Sequence, residues 1–154
     1  MTRTSRNGVQ PGGAPIIKSG AACLLGTELE VVAEVDLQPL LESFQHQVAV
    51  IRNSLDEGRY TLWVELTQTD GTVEDAVRQY TALVKALPPS ARTLWDSAID
   101  RCLNTGVQAG YAPHAFPVGL STNAMALAVR ASLRHVFTIY AQDDGHRRAR
   151  RPKR

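Results

Sequence analysis

No apolar run in this chain approaches the roughly 18 residues that a bilayer-spanning helix needs. Its N-terminal apolar patch, Ala21 to Leu25, is shorter than the core of about 7 to 15 residues in a signal peptide. These two shortages predict a cytoplasmic protein without membrane contact. Cysteine is nearly missing too: Cys23 and Cys102 alone offer no disulfide framework, and reduced thiols fit the same compartment. The four histidines, His46, His114, His135 and His146, stand on separate segments without ligand-like spacing. No metal centre is expected from them. A phosphate-binding glycine loop with its lysine and a strand–serine–helix nucleophile elbow are absent as well. No cofactor is therefore expected, and no catalytic residue can be named from a motif.

What the chain does have is a division of charge. The net charge of +2 conceals a C-terminal run in which Arg147, Arg148, Arg150, Arg151, Lys153 and Arg154 fall within the last eight residues. The rest of the chain keeps 11 Lys+Arg against 15 Asp+Glu, or −4. A mildly acidic domain with a basic tail over 143–154 is the expectation, and the tail is a candidate for binding nucleic-acid phosphates by counterion release. It lacks the interleaved aromatics and structured basic face of a dedicated nucleic-acid site. At the other end, residues 1–26 are rich in Gly and Pro and poor in large apolar side chains, which predicts a disordered leader. Between them, 27–142 is long enough to bury a core as a single domain.

Within that domain the hydrophobic period changes from segment to segment. Leu29, Val31, Ala33 and Val35 alternate with Glu28, Glu30, Val32 and Glu34, the pattern of a half-buried strand. Asp36 and Pro39 then open a segment in which Leu37, Leu40, Leu41, Phe44, Val48, Ile51 and Leu55 recur at helical spacing, predicting about five turns ended by Gly58. Tyr60 to Thr67 alternates again. Thr72 with Asp75 predicts a capped helix carrying Val73, Val77, Tyr80, Val84 and Leu87, and Ser90 a short helix with Leu94, Trp95 and Ala98 facing inward. A strand over 99–111, a proline loop, a helix capped by Ser121 with Met125, Ala128, Val129 and Leu133 on its inner stripe, and a final strand His135 to Ala141 complete the order. The last strand has apolar residues of both parities, which predicts a central position covered on both faces.

Two βαβ-like units, 28–67 and 99–141, follow from this reading. The fold expected is a two-layer α/β sandwich with a four-stranded mixed sheet, helices mainly on one face, ferredoxin-like in outline. Its other face would then carry Glu30, Val32, Glu34, Thr61, Trp63, Glu65, Asn104 and Gln108, with a tryptophan that is costly to leave in water. A protein partner, or a second copy meeting sheet to sheet, is the occupant this predicts. Trp63, Glu65, Gln108, Tyr111 and His114 are the candidate partner-binding residues. His114 also stands beside Tyr111 and Phe116 in a loop with Pro113 and Pro117, and a small enzyme using His114 with Asp100 is a further reading.

The combination Thr105-Gly106-Val107-Gln108-Ala109-Gly110, then Pro113-His114-Ala115-Phe116, Leu120-Ser121, and Phe137-Thr138-Ile139-Tyr140-Ala141 resembles a family of small bacterial domains of unknown function. The earlier strand bearing Trp63 belongs to the same resemblance, which spans about residues 28–142. It implies the α/β domain outline and, since the family's activity is unknown, carries no functional residue over.

Overall fold

The computed structural model describes residues 20–112 and 115–141. They form one mixed sheet with four helices. The strands are β1 (Cys23–Ala33), β2 (Val48–Asp56), β3 (Arg59–Leu66), β4 (Asp100–Gln108) and β5 (Arg134–Tyr140), in spatial order β2-β3-β1-β4-β5. The helices are α1 (Gln38–Phe44), α2 (Val73–Lys85), α3 (Pro89–Ser97) and α4 (Thr122–Arg130). None of these is long and apolar enough to cross a membrane.

The sheet has five strands where four were expected, and the addition is β2. Residues 48–56 were expected to continue the helix that begins at Asp36, yet the helix stops at Phe44 and a strand follows. The cause lies at Glu57 and Gly58, whose φ angles of 47° and 77° make the two-residue turn of a tight hairpin, so Leu55 pairs with Tyr60 and Asp56 with Arg59. Glycine is equally common just after a helix end, so Gly58 by itself does not separate the two. Antiparallel pairing of β1 with β3 also replaces the first expected βαβ unit. The ferredoxin-like outline is accordingly not the topology found. The second unit stands: β4 and β5 are parallel, joined through α4.

All four helices contribute to one core against a single sheet face. Leu29, Val31 and Ala33 of β1, Leu62 and Val64 of β3, and Leu103 of β4 point into it, where they meet Phe44 of α1, Val77, Tyr80 and Val84 of α2, Trp95 of α3 and Ala124 and Ala128 of α4. Two of the expected caps are present, Thr72 accepting from the Asp75 amide and Ser121 from the Ala124 amide. Ser90 is not a cap, because α3 begins one residue earlier behind Pro88. At the N-terminal side β1 starts at Cys23, inside the stretch 1–26 expected to be disordered; residues 1–19 lie outside the described residues. Gly110 allows that strand's approach: a Cβ there would collide with the backbone of Ala21 and Ala22.

Two expectations about the far edge fail together. β5 is an edge strand rather than a central one, with Phe137, Ile139 and Tyr140 exposed. On α4 the buried stripe is Ala124 and Ala128, while Met125 and Val129 face outward.

Candidate functional site

The face of the sheet opposite the helices is built by strand parity. Register places Arg52, Trp63, Glu30, Cys102 and Arg134 in one row across all five strands, with Glu65, Glu28, Asn104 and Val136 in the next. Along β1 and β3 these residues alternate with core residues, so the period of two that buries Leu29 and Val64 is what presents Glu28 and Trp63 on this side. The expected set Glu30, Val32, Thr61, Trp63, Glu65, Asn104 and Gln108 does share this face; Glu34 lies past the end of β1.

Trp63 is half-buried near the middle of the face, its indole Nε1–H donating to Glu28 Oε2 at 2.9 Å. The helix α3 does not cover it, since Trp95 of that helix is buried in the core with its indole donating to Ala131 O. Burial raises the Glu28 pKa, a tendency opposed by the Trp63 N–H and reinforced by neighbouring Glu65. On the other flank Arg134 binds Asp100 through both carboxylate oxygens, at 2.5 and 3.3 Å, which holds the Asp100 pKa below the usual carboxylate range. Burial pushes the Cys102 thiol up, with Arg134 opposing. A buried, protonated thiol is a packing group rather than a nucleophile.

The remaining predicted residues separate. Gln108 is at the rim, where its Nε2 donates to Tyr140 O and Ala141 O and ties the end of β5 to β4. Tyr111 follows β4, 75% exposed, its amide donating to Gly20 O. His114 and the tail residues Arg147, Arg148, Arg150, Arg151, Lys153 and Arg154 lie outside the described residues, so neither the His114–Asp100 pairing nor the tail site has a geometry. Asp100 itself is engaged by Arg134.

The sequence does not point to Arg52, because the apolar residues of 48–56 fit a helical spacing as well as a strand. The Glu57-Gly58 pair between Leu55 and Tyr60 is the signal that would have found it. Among the described residues no group of three or more His, Cys, Asp or Glu could hold a metal ion.

The arrangement is therefore a sheet face that carries no helix among the described residues and has an aromatic centre. It carries Glu28, Glu30, Glu65 and Asp100 against Arg52 and Arg134, and Glu30 and Glu65 make no ion pair with any described residue. No protein-family model, no curated protein and no solved structure matches the chain.

Proposed function

We propose that this protein is a small cytoplasmic interaction module, non-enzymatic, that binds a protein partner through the open face of its sheet. The observation that supports it most is Trp63, an aromatic side chain held by Glu28 on a sheet face without helices. Aromatic anchors of this kind dominate the energetics of protein interfaces, and a surrounding polar rim sets specificity. The acidic balance around Trp63 favours a partner that brings an apolar group to the indole and cationic groups to Glu30 and Glu65.

The test compares what the full chain captures with what Trp63→Glu and the double variant Glu30→Lys, Glu65→Lys capture, each checked for folding by circular dichroism. A partner retained by the native chain and lost from both folded variants supports the reading. A partner profile unchanged by all three substitutions overturns it. A second reading, association with nucleic acid, is favoured by the six cations of the C-terminal run alone, because the open face is acidic and repels phosphate.

A further inference from the structure

The two edges of the sheet are built differently. β2 is guarded: its register slips between Val50 and Arg52, and Arg52, Asn53 and Asp56 are exposed along it. Bulges and edge charges are the ordinary devices that stop a free strand from pairing with another chain. β5 has neither in its middle. Its pairing to β4 runs without a slip from Arg134 to Tyr140, and the only charged side chain on it that is always ionised, Arg134, sits at its first position.

The direction of the backbone groups follows from the ladder. Ala109 N–H donates to Tyr140 O, so Tyr140 turns its peptide groups toward β4. In a parallel pair such residues alternate with those turned away, which makes His135, Phe137 and Ile139 the residues whose N–H and C=O face the free edge. Their side chains share the helix side of the sheet, because they pair with Leu103, Thr105 and Val107. Yet Phe137 is 44% and Ile139 71% exposed, and on α4, the helix that leads into this strand, Met125 is 46% and Val129 74% exposed. Among the described residues, this edge joins backbone groups without partners to uncovered apolar side chains.

We infer that a second copy of the chain pairs with this edge, β5 antiparallel to its own counterpart about a two-fold axis at Phe137. The strand is self-complementary in that register. Phe137 meets Phe137 of the partner subunit, and His135 and Ile139 meet each other's counterparts, so every outward N–H and C=O of the three residues finds a partner. On the open face Val136 falls opposite Thr138 and Arg134 opposite Tyr140. No like charges oppose one another, and the central pair is aromatic on aromatic, a favourable cross-strand combination. The result is a continuous ten-stranded sheet that buries Phe137 and Ile139.

Sedimentation of the full chain tests this. The expected species has twice the 16.8 kDa of one chain. Phe137→Glu sets two carboxylates against each other on the axis, and Ile139→Lys places a charge on the edge; each is expected to weaken the dimer at least about tenfold. Both sites are exposed in the single chain, so folding should survive, and circular dichroism checks it. Mixing Phe137→Glu with Phe137→Lys chains is expected to restore the dimer, since only a two-fold axis at residue 137 brings these two together. A native chain that stays at 16.8 kDa at every concentration, as it would if another segment of the same chain covered the edge, overturns the inference. So does a dimer indifferent to both edge substitutions, and a dimer that Trp63→Glu alone dissolves would move the contact to the open face. Under the inference Trp63→Glu leaves the mass unchanged, so this test fails or succeeds independently of partner binding by the open face.

Discussion

The indole N–H of Trp63 reaches diagonally across β3 and β1 to the carboxylate of Glu28, 2.9 Å away. One hydrogen bond thus fixes the orientation of the largest aromatic group on the open face and keeps a half-buried carboxylate satisfied. Because the pair stands between a core of alternating Leu and Val on one side and solvent on the other, its chemistry can be probed without disturbing the helices.

Glu28→Gln tests the electrostatics of that pair. Burial, with Glu65 adding, raises the Glu28 pKa above its ordinary 4.5 despite the Trp63 bond. A carboxyl with a raised folded pKa contributes stability that is fully present below 4.5 and lost as pH rises through the folded value. The Gln variant retains an oxygen for the indole and should be no less stable at neutral pH, with a flatter stability profile just above 4.5. Denaturant melts across this range check it, and profiles that coincide with those of the native chain contradict it.

Thr105→Val addresses a buried polar chain on the helix side. The Thr105 hydroxyl lies 2.8 Å from Thr27 Oγ1 and 2.7 Å from His135 Nε2, linking β1, β4 and β5. Valine fills the same volume but strands both neighbours, so a loss of about 1–3 kcal/mol is expected in equilibrium unfolding. A neutral effect would mean that Thr27 and His135 find other partners.

His135 makes the same region sensitive to acid. Burial lowers its pKa below 6.5, so the stability linked to its neutral form is present above 6.5 and is lost as pH falls through the folded value. The native chain should weaken on mild acidification, and His135→Gln should weaken less over that window. Thermal melts of the two chains, compared at pH values on either side of 6.5, measure the difference.

The two tryptophans should respond very differently to truncation. Trp95 is fully enclosed and bonded to Ala131 O at 3.1 Å, so Trp95→Ala opens a cavity and is expected to cost about 3–5 kcal/mol. Trp63→Ala, on the open face, should cost roughly half of that or less. Equal losses in urea titrations would show that the face around Trp63 is covered.

Nucleic-acid association, if the tail supplies it, should depend on residues 145–154 alone. Binding of labelled duplex and single strands to the full chain should fall steeply with salt and vanish from a chain ending at Asp144. Binding that persists in the shorter chain would assign it to the folded domain instead.

Alternation and caps were legible from residues alone because they are local. The period of two in 28–35 and 60–67 specified which side of each strand meets the core, and therefore that Glu30, Thr61, Trp63 and Glu65 share the other side. Thr72 and Ser121 each satisfy an amide three residues away, a contact that needs no distant partner. The segment 37–58 was ambiguous for a physical reason: Leu37, Leu40 and Phe44 continue into Val48, Ile51 and Leu55 at helical spacing, while Val48, Val50 and Ile51 are β-branched. The Glu57-Gly58 turn and the pairing with β3 that it closes made residues 48–56 strand and brought Arg52 beside Trp63. At the opposite end, the apolar residues of both parities in β5 predict cover on both faces, but strand order is decided by how the whole sheet and its crossovers assemble. That assembly leaves β5 at the edge, with Phe137 and Ile139 uncovered among the described residues, so the side chains alone did not reveal the strand's place in the sheet.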